Sequence, residues 1–100
     1  MDDSALLAAF AADKSEAAFQ QLVQRHVGMV YSVCRRQLRD AHWAEDVTQA
    51  VFMVLARRAK GIRDGRTLAA WLLRVTKYCA IDARRSTARR RHHGYRHGLP

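Results

Sequence analysis

Proline occurs once in this chain of 100 residues, as its last residue, and glycine only five times. Short strands joined by tight turns need far more of both, so long helices are expected. Cysteine is limited to Cys34 and Cys79, far apart and each inside a helical pattern. That spacing is neither a disulfide framework nor a metal site, and it points to a reducing cytosol. No apolar run approaches the roughly 18 residues that cross a bilayer, and no signal-peptide layout opens the sequence. A Gly-rich phosphate loop, a nucleophile elbow and a helical His pair around a Glu are all missing, so enzymatic chemistry finds little support and no cofactor is expected. Acidic residues run out as well: none follows Asp82.

What is present is helix-forming and basic. Forty-nine per cent of the residues are hydrophobic, too many for a disordered chain, and the length allows one small core. The formal charge of +9 is unevenly placed. Residues 1–50 hold seven acids and five bases, whereas residues 51–100 hold two acids and thirteen bases. A basic second half suits a polyanion, first nucleic acid and then an anionic membrane surface, although such charge blocks are often only solvated tails.

Apolar periodicity predicts four helices. The first is short, Ser4 to Ala12, with Leu6, Leu7 and Phe10 on one side. Asp13 starts the second, with Glu16 completing a capping box. Phe19, Leu22, Val23, Val27, Val30, Tyr31, Cys34 and Leu38 form its stripe, and Gly28 marks a close approach by another helix. Asp40 caps the third, whose apolar positions are Trp43, Val47, Val51, Val54 and Leu55 and whose natural stop is Gly61 after Arg57, Arg58 and Lys60. Gly61 to Arg66 is the one internal loop with real turn chemistry. Thr67 caps the fourth helix, with Leu68, Trp71, Leu72, Val75, Cys79 and Ala83 facing inward. The expected fold is all-α, a small antiparallel bundle of three long helices and a short N-terminal one over residues 1–91, with a basic, frayed tail over 92–100.

Three constellations stand out. On the third helix Glu45, Asp46 and Gln49 lie within about a turn, opposite the valine stripe. They read either as compensation of the helix dipole or as a docking surface for a basic partner helix. On the fourth, Arg74, Lys77, Arg84, Arg85 and the run Arg89 to Arg91 surround Trp71 and Tyr78, a mixture suited to phosphate contacts and base stacking. Trp71 also falls on the apolar stripe and reads equally well as a core residue; Tyr78 falls off it. His92, His93 and His97 with Tyr95 form a tract able to bind a metal adventitiously, but structural or solvated roles outrank catalysis for the histidines.

The stretch Ala44-Glu45-Asp46-Val47-Thr48-Gln49-Ala50-Val51-Phe52, followed by Trp71-Leu72-Leu73-Arg74-Val75 and Ala80-Ile81-Asp82-Ala83-Arg84-Arg85, resembles the second conserved region of bacterial RNA polymerase sigma factors, above all the extracytoplasmic-function subfamily. The resemblance covers residues 4–91. It implies a cytoplasmic helical domain that binds core RNA polymerase and the promoter −10 element, with no membrane partner. Asp46 and Gln49, with Glu45 beside them, become contacts to the clamp helices of the largest polymerase subunit. The loop carrying Arg63, Asp64, Arg66 and Thr67 becomes the one that captures a flipped −10 base. The fourth helix becomes the element that reads and melts the duplex, through Trp71, Arg74, Lys77, Tyr78, Arg84 and Arg85.

The chain departs from the family pattern at Ala50, where many members have Glu, and at Leu72, where housekeeping members have a second tryptophan. It departs again at Tyr78, where many subfamily members have Asn. Full-length members also carry a second helical domain that reads the −35 element, and this chain ends before one. The alternative readings are a protein-interaction module that docks on polymerase or an anti-sigma factor without opening DNA, and an enzyme of histidine–metal type.

Overall fold

Four short polar side chains set where the helices begin. In a computed structural model describing residues 1–97, with side chains described to Ser86, each accepts a hydrogen bond from a backbone N–H that the first turn leaves unpaired. Asp2 accepts from Ala5 (2.8 Å), Ser15 from Ala18 (3.2 Å), Asp40 from Trp43 (3.0 Å) and Asp64 from Arg66 (2.9 Å). The elements that follow are α1 (Asp3–Asp13), α2 (Glu16–Gln37), α3 (Ala41–Arg58), two 3-10 turns (Ala59–Gly61 and Gly65–Thr67) and α4 (Leu68–His97). No strand occurs among the described residues. The expected basic tail over residues 92–100 and the histidine tract rest on side chains, and from residue 98 on backbone, that lie outside the described residues.

Two of the expected caps move. Asp13 is the last residue of α1, not a cap. The chain turns at Lys14, whose left-handed backbone (φ 53°) lets its N–H donate to Phe10 O at 2.9 Å, and this leaves Ser15 to cap α2. At the other loop Asp64 takes the place expected of Thr67, whose hydroxyl instead donates to Asp64 O at 2.7 Å. The third helix also stops differently: α3 tightens into a 3-10 turn after Arg58, and Gly61 only closes that turn.

The core lies along straight i, i+4 lines. On α4 these are Leu68, Leu72, Thr76 and Ala80, all fully buried, while Trp71, Val75, Cys79 and Ala83 sit at its edge. The inward face is therefore turned from the one expected by about one residue. Thr76 can occupy the centre because its hydroxyl donates to Leu72 O at 2.6 Å; Thr48 on α3 does the same to Ala44 O at 2.8 Å. Against this line pack Leu22, Val30 and Cys34 of α2, Leu38 just after it, and Val47, Val51 and Leu55 of α3. Burial pushes the Cys34 thiol up, with a hydrogen bond to Thr48 opposing it, and burial does the same to Cys79.

Helix α1 crosses the loop end of the bundle and touches both 3-10 turns. Asp3 ties it to α2 through Arg25 (3.2 Å) and His26 (2.7 Å), and Phe10 stacks on Phe19 with centroids 4.7 Å apart. The close backbone approach expected at Gly28 is absent, for nothing lies within 4 Å of a Cβ placed there. The close approach is at Gly65, where a Cβ would meet Ser4 Cα at 2.4 Å. Gly65→Ala should therefore force α1 off the loop and destabilise the domain by about 1–3 kcal/mol, as overpacking does. Gly61→Ala, with nothing within 4 Å, should stay within about 0.5 kcal/mol of the parent. Urea and thermal denaturation of the two variants side by side check this.

Candidate nucleic-acid interface and docking face

The outward side of α3 presents Glu45, Asp46 and Gln49, all exposed. Glu45 makes only a loose contact with His42 (3.8 Å) on the same exposed turn. Glu45 and Asp46 are the fifth and sixth residues of the helix, and its first turn carries no acid. A helix dipole acts mainly within its first turn, where the Asp40 cap already sits, so dipole compensation explains these two acids poorly. The Trp43 N–H bond holds the Asp40 carboxyl below its ordinary range.

The three residues share a face, but Asp46 and Gln49 open onto different grooves. Asp46 borders a cleft of about 1150 Å³ that runs from Arg36 and Arg39 past Trp43 to Arg84. Gln49 borders an apolar groove between α2 and α3 walled by Phe19, Val23, Val27, Phe52 and Met53. Met53 is 57% exposed. Sequence periodicity did not single out this apolar strip, because Phe19, Val23 and Val27 read as core.

On α4, Arg74, Lys77, Tyr78, Arg84 and Arg85 are exposed. With Trp71 they fall within about 140° of the helix circumference at 3.6 residues per turn. Trp71 is half-buried at the edge of the core, and Leu72 beside it is fully buried. Tyr78, by contrast, is 72% exposed. Trp71, Arg74 and Tyr78 line one groove of about 450 Å³ with Val54, Arg58, Val75 and Cys79. Arg58 is the member that sequence reasoning missed. It reads as a C-terminal dipole partner of α3, and only the α3–α4 packing brings it beside the two aromatic rings.

The loop between α3 and α4 leaves Arg63, Arg66 and Thr67 exposed. Asp64 holds it in shape, accepting from the Arg66 backbone N–H (2.9 Å) and from Arg66 Nε (3.2 Å). Arg66 thus spends its guanidinium on Asp64, and Arg63 makes no ion pair among the described residues. Gly65 is buried under α1, so its missing side chain makes room for that helix.

The family of sigma-70 region 2 matches residues 22–90, a span that takes in α3, the loop and most of α4. The chain belongs to this family. It is also 32% identical over 73 residues to the RNA polymerase sigma factor CarQ of Myxococcus xanthus, a match covering 73% of this chain and 42% of that protein. The chain thus spans less than half the length of that relative. No solved structure matches. Among the described residues no helix is long and apolar enough to cross a membrane.

The Arg66 guanidinium and backbone N–H together hold the Asp64 carboxyl below its usual range. A lowered carboxylate pKa means that the bonded loop is fully favoured above the ordinary value of about 4 and loosens as pH falls from there through the lowered one. The pH titration of the Arg66 backbone amide should therefore have its midpoint below the ordinary carboxylate value of about 4. In Asp64→Asn that titration should vanish. An Arg66 amide that titrates at or above the ordinary carboxylate value in the parent would break the assignment.

Proposed function

We propose that this domain docks on core RNA polymerase through α3 and recognises the promoter −10 element through the loop and α4, and that it is not an enzyme. The observation that carries the reading is the α4 groove, where an exposed Tyr78 and a half-buried Trp71 stand among Arg58 and Arg74. Aromatic faces set among cations suit unstacked bases joined to phosphates. Membership of the sigma-70 region 2 family supports the same assignment, as does likeness to a protein named as an RNA polymerase sigma factor. Binding to polymerase would put the domain in the bacterial cytoplasm.

Glu45, Asp46 and Gln49 offer carboxylates and an amide to a basic coiled coil such as the clamp helices of the largest subunit. Ala50 is exposed beside them and contributes no polar group. With Leu72 buried, Trp71 is the single ring of that adjacent pair of positions able to wedge against a base step. One wedge where housekeeping relatives have two favours promoters that melt readily. Tyr78 in place of Asn substitutes a stacking face for an amide, which shifts the upstream −10 contact from hydrogen bonding toward stacking.

Asp46→Arg should abolish binding to core polymerase without loss of helix content, since Asp40 and not Asp46 caps α3. Parental affinity in a pull-down with core enzyme would remove α3 as the docking face. For DNA, Tyr78→Ala should weaken single-stranded −10 oligonucleotides by about 1–3 kcal/mol with an unchanged salt slope. Arg84→Ala should weaken all sequences alike and flatten the slope by about 0.7 to 0.9. A protein that binds core polymerase while ignoring −10 DNA would be a pure docking module, for polymerase or for an anti-sigma factor.

A further inference from the structure

The docking face described above uses the acidic half of α3 and leaves its basic end without a partner. Arg57 and Lys60 are exposed, and neither belongs to an ion pair among the described residues. Lys14, just after α1, stands beside them in a groove that no carboxylate lines. Toward the other end Asp46 is exposed and makes no ion pair either. Between the two ends Met53 lies bare at 57% exposure, on the apolar groove that also leaves Val27 exposed. The dipole of α3 favours cations at its last turn. It accounts neither for a bare methionine nor for an acid beyond the first turn.

The spacing of these residues is that of a helix-pairing seam. Trp43, Asp46, Ala50, Met53, Arg57 and Lys60 recur at alternating steps of three and four. At 3.6 residues per turn they keep within about 100° of the circumference. Trp43 is half-buried and the other five are exposed, so the seam faces outward. Its steps read the same in both directions. It can therefore meet a second copy of itself, antiparallel, about a two-fold axis between Val51 and Phe52. Every layer of that pairing is complementary. Asp46 meets the partner's Arg57, and the Trp43 ring meets the stem and ammonium of the partner's Lys60. At the centre Ala50 meets the partner's Met53, small against large, and a longer side chain at residue 50 would hold the helices apart.

Charge order selects this occupant. A helix laid along the seam must bring a base to Asp46 and an acid to Arg57, and α3 run backwards does both. The formal charge of +9 opposes self-association. The bases of the α4 groove, however, open with Val54 and Arg58 on the flank of α3 away from the groove of Val27 and Met53. We propose that α3 pairs with α3 of a second copy of this chain, and that the dimer covers the face from Asp46 to Met53. A single helix pair buries little surface, so the dimer is weak and reversible. The pairing rests on the seam alone. That it competes with core polymerase rests on the proposed function, which puts Asp46 and Gln49 against the clamp helices. Domain in excess of polymerase is then held as dimers, and core enzyme draws monomers from them.

The test is sedimentation equilibrium of the full chain over a range of concentrations. The parent should show a monomer–dimer equilibrium. Asp46→Arg and Arg57→Asp should each raise the dimer dissociation constant at least about tenfold, because each turns two symmetry-related attractions into repulsions. An equimolar mixture of the two variants should dimerise again, since every layer between the unlike chains is complementary, and a folding defect cannot produce that rescue. Ala50→Glu should also be monomeric. Circular dichroism checks that each variant keeps its helix content. Core polymerase added to the parent should convert dimers into complexes holding one copy each. A parent that stays monomeric up to about 1 mM overturns the dimer and leaves the polymerase reading intact. Single variants that dimerise like the parent, or a folded mixture that stays monomeric, overturn it as well. Two copies on one polymerase overturn the covering of the docking face. Rescue in the mixture, with no core binding by the parent or by Arg57→Asp, upholds the dimer and removes the polymerase reading.

Discussion

Contact between the backbone of Ser4 and the hydrogen atoms of Gly65 holds the loop end of this domain together. Any side chain at residue 65 would occupy the space that α1 fills, since a Cβ there would come within 2.4 Å of Ser4 Cα. Around the contact, Asp3 anchors α1 to Arg25 and His26 of α2, and Asp64 folds the loop back onto Arg66. The geometry offered by the loop to a ligand therefore depends on a helix at the far end of the sequence. A change in α1 reaches the loop through backbone contact, without any side chain that touches nucleic acid.

Much of this was legible in the residues. Helix number and order follow from the period of Leu22, Val30, Cys34 and Leu38, of Val47, Val51 and Leu55, and of Leu68 and Leu72, because burial of one stripe per helix leaves few arrangements for so short a chain. The cap at Asp40 follows from local chemistry alone. What failed was local chemistry with two answers. Asp13 and Ser15 both suit a helix start, and only the left-handed turn at Lys14 decides between them. Asp64 and Thr67 compete in the same way, and Asp64 takes the cap by accepting from the Arg66 N–H while the Thr67 hydroxyl donates to Asp64 O. The rotation of α4 toward Thr76 was hidden because a threonine reads as polar until its hydroxyl is seen to bond its own helix.

The candidate site divides along the same line. Residues proposed to act through exposure, such as Asp46 and Tyr78, could be singled out because they fall off an apolar stripe. Those brought together only by juxtaposition could not. Arg58 joins the aromatic groove, and Lys14 joins Arg57 and Lys60, only because α1 and α3 end at the same place. Sequence separation conceals such neighbours, and a charge balance by halves of the chain credits Lys14 to the acidic half.

Helix α3 is the one element that takes part in both proposed activities, with Asp46 toward one end and Arg58 at the other. It runs from Ala41 to Arg58 without glycine or proline, so it spans about 27 Å as a stiff rod. Such a rod is a ruler with a built-in angle. Inserting one residue between Gln49 and Arg57 would lengthen it by about 1.5 Å and turn one half by about 100° against the other. On the proposed function, substitutions along α3 would alter how strongly each partner is held, whereas a change in its length would alter where promoter and polymerase stand relative to each other. The spacing of the two is written in a residue count, and no compensating side chain can restore it.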